Sequence, residues 1–142
     1  MIVIDASVVV DWVAPGGDPQ SAAMTTLSSL VARDEEVGAP RLLFEEVANA
    51  LITGIRRRRW SGTDADAALR RLADLPVRLL DDGRDRRRAW ELSRRYDNHP
   101  FYDMLYVALA ERTKSRLITA DGGLRAQLAD FAWVLAPGPL ST

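Results

Sequence analysis

Three aspartates stand at the ends of apolar segments: Asp5 closes MIVID, Asp103 opens the run FYDMLYVALAE, and Asp121 closes RLITAD. An acid that directly follows a short β-branched run sits at the carboxyl end of a strand, and in an open parallel sheet that edge is where ligand sites lie. If Met1 to Ile4 and Arg116 to Thr119 are parallel neighbours, Asp5 and Asp121 share one sheet edge. Asp103 belongs to the opening turn of a helix whose Met104 to Ala110 stretch is apolar on every side, so the helix is buried and the carboxylate is not fully solvated. Two carboxylates ~4 Å apart at an effective dielectric of about 20 repel by about 4 kcal/mol. Three or four converging acids would protonate or splay apart unless a cation joined them. With no cysteine and a single histidine in the chain, an oxygen-rich site favours Mg²⁺ or Mn²⁺ over a structural zinc. A metal held this way acidifies bound water and neutralises charge on a phosphoryl oxygen, which is the chemistry of phosphodiester hydrolysis.

The elements that must position these acids follow from periodicity and turn residues. Met1 to Ile4 reads as a strand, and Ser7 is placed to cap a helix through Trp12, broken by Pro15, Gly16 and Gly17. A helix over Pro19 to Arg33 precedes a short strand at Val37 to Ala39. A strong helix follows over Arg41 to Arg59, with Leu43, Phe44, Val47, Ala48, Leu51, Ile52 and Ile55 on one apolar face. Thr63 opens a further helix to Asp74. A strand at Val77 to Leu80 leads to helices over Arg84 to Tyr96 and Phe101 to Arg112. The strand Arg116 to Thr119 follows, and Phe131 to Leu135 forms a last edge strand. Alternating strands and helices specify an α/β fold with a parallel sheet.

Composition excludes several classes. At 142 residues the chain suits one domain over 1–142 with a core of its own. No run approaches the ~18 apolar residues of a membrane span. Asp5 interrupts the apolar start, which also lacks the basic region and small-residue cleavage site of a signal peptide. The absence of cysteine makes a cytoplasmic location the default. A net charge of −1 gives no global argument for binding nucleic acid. The runs Arg56 to Arg59 and Arg84 to Arg88 fit solvated helix ends, although the first can also meet RNA phosphates or a protein partner. His99, before Pro100, reads as a loop or helix-start residue rather than a catalytic base. Trp12, Trp60, Trp90 and Trp133 read as core or interface residues, with Trp60 the one placed to stack on RNA.

The segments MIVIDASVVV, APRLLFEEVANAL, FYDMLYVALAE and LITADGGL resemble, in order, the four signature blocks of PIN-domain nucleases, in particular the VapC-type toxins of bacterial toxin–antitoxin pairs. The resemblance implies a PIN-like α/β fold with a central parallel sheet of four or five strands in the order 3-2-1-4-5, flanked by helices. It implies a Mg²⁺-dependent endoribonuclease, with Mn²⁺ able to substitute, that cuts structured RNA. Asp5, Glu46, Asp103 and Asp121 match the catalytic acids, with Asp5, Asp103 and Asp121 on the metal. Ser7 and Thr119 fall where the family has hydroxyls that bond the carboxylates or a metal-bound water. A homodimer and a VapB-type antitoxin are the implied partners, the antitoxin's C-terminal segment reaching the acidic groove.

Glu45 rivals Glu46, since the two are adjacent and about 100° apart around a helix; projection puts Glu46 with Asn49 and Thr53 on the polar side. Each aspartate alone has a plain explanation: Asp5 as a helix cap, Asp103 stabilised by the helix dipole, Asp121 as a turn residue before two glycines. Their joint occurrence within four ordered blocks favours a site. Other phosphoryl-transfer modules with an aspartate after the first strand fit poorly. A haloacid-dehalogenase phosphatase requires Asp-x-Asp where this chain has Asp5-Ala6-Ser7, and a receiver requires a lysine after a late strand whereas Lys114 precedes its strand. A housekeeping RNA-processing nuclease and a catalytically silent interaction module are the alternative functions.

Overall fold

The computed structural model describes residues 1–141. Its centre is β1 (Ile2–Ile4), three β-branched residues buried on both faces. Such a run is stable only with a strand on either side and helices above and below, and that is where it lies. Beside it run β2 (Val37–Pro40) and β4 (Arg116–Ile118); β3 (Val77–Leu80) and β5 (Val134–Leu135) form the edges. All pairings are parallel, and the order is β3-β2-β1-β4-β5, as the family resemblance implies. Connections leave β1 toward β2 on one side and return to β4 on the other, so the crevice of the switch point opens between the carboxyl ends of β1 and β4.

Seven helices are present among the described residues: α1 (Ala6–Val13), α2 (Ala22–Ala32), α3 (Leu43–Arg56), α4 (Gly62–Asp74), α5 (Gly83–Arg95), α6 (Phe101–Thr113) and α7 (Gly122–Gln127). Buried through its middle, α6 contributes Met104, Tyr106, Val107, Ala108, Leu109 and Ala110 to the core and packs on β1, β2, β4 and α5. Its far end is clamped to α5 by a bidentate pair, Arg112 Nε to Asp85 Oδ1 at 2.6 Å and Nη2 to Oδ2 at 2.9 Å. The helix therefore has little freedom to slide, and its amino end is fixed at the sheet's carboxyl edge. None of the helices among the described residues is long and apolar enough to cross a membrane.

Several local expectations are corrected. Asp5, not Ser7, occupies the cap position of α1, and its side chain makes no capping bond. Ser21 caps α2, which starts at Ala22 instead of Pro19, by accepting from Met24 N. Ser61, not Thr63, caps α4, by accepting from Asp64 N. The helix expected to reach Arg59 stops at Arg56, because Arg58 turns left-handed at φ 57°. That turn folds Trp60 back on α3, where its indole donates to Leu51 O at 2.9 Å and Arg59 lies 4.9 Å over its ring. Trp60 is thus a packing residue with one face already covered. The last strand shrinks to Val134–Leu135, since Phe131 stacks on Trp133 with centroids 5.1 Å apart in place of extending the ladder. The apolar face of α3 is only partly covered: Leu43, Val47 and Leu51 are buried, while Phe44 and Ile52 remain 42% and 54% exposed.

Gly54 marks the tightest packing on α3, for a Cβ there would overlap the indole of Trp60. Alanine favours a helix over glycine by about 1 kcal/mol, but a ring held by its own hydrogen bond cannot retreat, so overpacking should win. Gly54→Ala is expected to destabilise the fold by about 1 to 3 kcal/mol in urea unfolding; a neutral or stabilising result would show that Trp60 is not fixed.

Candidate active site

Four elements deliver acids to the carboxyl edge of the sheet. Asp5 follows β1 directly, Glu46 lies in the first turn of α3 just after β2, Asp103 lies in the first turn of α6, and Asp121 caps α7 after β4. Helix amino termini favour anions, and all four acids rest in first turns or cap positions where the backbone helps to hold their charge.

Asp5 is the most enclosed, at 6% exposure. Its Oδ2 accepts from Ser7 Oγ at 2.6 Å and from Thr119 Oγ1 at 2.8 Å. Each hydroxyl in turn accepts from the loop after β4: Ala120 N reaches Ser7 Oγ at 3.0 Å and Asp121 N reaches Thr119 Oγ1 at 3.1 Å. Because each hydroxyl has only one proton and accepts from a backbone amide, that proton points at Asp5, which must serve as acceptor. The network ties the end of β1 to the loop that carries Asp121. Burial raises the Asp5 pKa, the Ser7 and Thr119 hydrogen bonds oppose the rise, and the charge of Asp103 adds to it.

Glu46 and its rival are separated by the fold. Glu45 is exposed, whereas Glu46 is half-buried and accepts a 2.8 Å hydrogen bond from the phenol of Tyr106, a core residue of α6. Burial raises the Glu46 pKa, Tyr106 works against this, and the charges of Asp5 and Asp103 add to the rise. The phenol of Tyr106 is pushed far up by burial and by Glu46, so it stays a neutral donor. Asp5, Glu46 and Asp103 therefore sense one another's charge.

A third grouping includes His99, which the sequence places in a loop or at a helix start. His99 Nε2 and Asp103 Oδ2 share a hydrogen bond of 2.7 Å. His99, Asp103 and Asp121 each present a ligand atom, and these lie within 4.8 Å of one another. Asp121 does this while its Oδ1 accepts from Leu124 N at 3.1 Å, so it has both the turn role and a place in the cluster. The turn that delivers His99 uses two consecutive left-handed residues, Asp97 at φ 57° and Asn98 at φ 55°. His99 stands four residues before Asp103, the spacing of neighbours on a helix, but Pro100 at the helix start hides the relation. Two carboxylates gathered beside an imidazole make a group that could hold a divalent cation. The Arg56 to Arg59 run is exposed at the end of α3.

The fold and this edge define an α/β protein of the doubly wound kind with acidic residues gathered at its switch point. The PIN domain family model matches residues 2–127, and the chain belongs to the PIN domain family. No curated protein sequence matches it. Among solved structures it is similar to a toxin–antitoxin complex from Klebsiella pneumoniae, with TM-score 0.67 and 16% identity, covering 99% of this chain and 100% of that one. It is also similar to VapC20 of Mycobacterium tuberculosis, described as a sarcin–ricin loop cleaving toxin, with TM-score 0.65 and 22% identity, covering 94% and 98%. At these identities the likeness is one of fold.

The raised pKa values set a pH dependence of stability. A carboxyl that binds its proton more tightly folded than unfolded stabilises the fold below the ordinary carboxylate value, and that contribution is lost as pH rises through the folded value. For Asp5 the window opens at 3.8 and extends upward. Metal-free Asp5→Asn should therefore melt above the wild type at neutral pH, and the gap should close as the pH falls below that value. Calorimetric scans across pH check this; a wild type that gains on the variant as pH rises would contradict it.

Proposed function

We propose that the chain is a Mg²⁺-dependent endoribonuclease, the toxin of a VapBC-type pair, that hydrolyses phosphodiester bonds of structured RNA in the cytoplasm. The observation that carries this reading is the convergence of Asp5, Glu46, Asp103 and Asp121 on the switch-point edge of a PIN fold. The printed descriptions of the two similar structures, a toxin–antitoxin complex and an RNA-cleaving toxin, support the choice of substrate and partner. Mg²⁺, or Mn²⁺ in its place, would be held by Asp5, Asp103 and Asp121 and would supply charge neutralisation at the phosphoryl group and an acidified water.

The chain's own residues do the rest. Ser7 and Thr119 keep the Asp5 carboxylate in one orientation. Glu46, steadied by Tyr106, would take the proton of an attacking water, a role of general base that a half-buried carboxylate with a raised pKa suits. Exposed apolar side chains on α3, α4 and β3, namely Phe44, Ile52, Leu69 and Leu79, offer surface for protein partners, an antitoxin or a second copy of the chain.

Stem-loop RNA incubated with the purified chain and Mg²⁺ tests the reading. Asp103→Asn should abolish cleavage while circular dichroism and antitoxin binding stay unchanged; full cleavage by this variant would overturn the assignment. Glu46→Gln should lower the cleavage rate by about 10²-fold or more, as loss of a general base does, while Glu45→Gln should remain near wild type. Equal losses in the two would overturn the choice of Glu46.

A further inference from the structure

We infer that His99 is itself a metal ligand, and that with Asp103 and Asp121 it makes a mixed nitrogen–oxygen position selecting Mn²⁺ over Mg²⁺; this rests on the nuclease reading above. In an octahedral shell with bonds of ~2.1 Å, neighbouring ligand atoms lie about 3.0 Å apart and opposite ones about 4.2 Å. His99 Nε2 and Asp103 Oδ2 share a hydrogen bond of 2.7 Å; an ion entering between them would displace the shared proton and part the two atoms slightly, to the spacing of a neighbouring pair. The 4.8 Å bound on the three-residue set accommodates an opposite pair. The imidazole is well sheltered, its side chain 14% exposed, and the first turn of α6 holds Asp103 against it.

Donor chemistry then determines the preference. Mg²⁺ is hard and accepts imidazole reluctantly, keeping water and carboxylate oxygens instead. First-row transition ions take imidazole nitrogen more readily than Mg²⁺ does, and among them Mn²⁺ is the one that shares the preference of Mg²⁺ for carboxylate oxygen. Two carboxylates and a neutral imidazole also balance a divalent charge. The alternative role for His99, a hydrogen bond that merely positions Asp103, would support every ion alike.

The test uses Mn²⁺ alone with the full-length chain. Pulsed electron paramagnetic resonance of bound Mn²⁺ should show a ¹⁴N coupling that changes on ¹⁵N-histidine labelling and is absent in His99→Gln, whose amide can still hydrogen-bond Asp103. Calorimetry should show the Mn²⁺ Kd of His99→Gln weakened about tenfold or more, within the range for lost metal-site support, with the Mg²⁺ Kd changed less than about threefold. Mn²⁺ bound without nitrogen coupling, or equal weakening for both ions, overturns the inference; persistence of wild-type RNA cleavage would then leave the nuclease reading intact. A wild type that neither binds Mn²⁺ nor cleaves RNA overturns both. If His99→Gln does not fold, the coupling and its isotope shift in the wild type decide the matter.

Discussion

Crowding of like charge at one sheet edge is the constraint on which the rest of this structure depends. At an effective dielectric of about 20, each close carboxylate pair costs several kcal/mol, which is a large part of the total stability of a small domain. The fold meets that cost by making the edge stiff. A strand buried on both faces leads straight into Asp5, a helix with a buried middle carries Asp103 in its first turn, and the Arg112–Asp85 pair fixes the other end of that helix. A softer scaffold would relieve the repulsion by letting the acids part, and the crevice would lose its attraction for a cation.

The hydroxyl network shows how a buried acid is kept usable under that constraint. Burial alone would favour a protonated Asp5, which would neither bind metal nor attract it. Ser7 and Thr119 have their lone pairs engaged by backbone amides of the loop after β4, so each presents its proton to Asp5 Oδ2 and stabilises the ionised form. The same bonds fasten the loop that carries Asp121. Orientation of one acid and placement of another are thus one feature, and loss of either hydroxyl would be felt at both.

How much of this was legible in the sequence depended on whether a residue's role was local. The positions of Asp5, Asp103 and Asp121 at the carboxyl edge of the sheet were readable because each borders a strongly apolar element whose type is unambiguous, and the strand order followed from the family resemblance. Glu46 was only half readable: helical projection gave its side, but the partner that distinguishes it from Glu45 is Tyr106, sixty residues away. The caps of α1 and α4 were misplaced because several hydroxyl and acid side chains compete within two residues. Helix α7 went unread because two glycines lead it and it spans only Gly122–Gln127. His99 was hidden by Pro100, which signals a break in the chain while the helical phase continues across it.

That last case bears on how such a crevice acquires individuality. The acids are spaced by the topology: strand ends and helix starts of this fold bring carboxylates together whatever the rest of the surface does. His99 comes from outside that scheme, on a turn through two left-handed residues, Asp97 and Asn98. Non-glycine residues in that region cost of order 1 kcal/mol each, and they persist only where the surroundings over-determine them. The turn ends at an imidazole in contact with Asp103. Because the acids alone satisfy the electrostatic requirement for any hard divalent ion, a nitrogen donor added to them alters which ion is held more than whether one is held. On the proposed reading, the capacity to hold a metal would follow from the sheet edge, and the preference among metals from a single turn before α6.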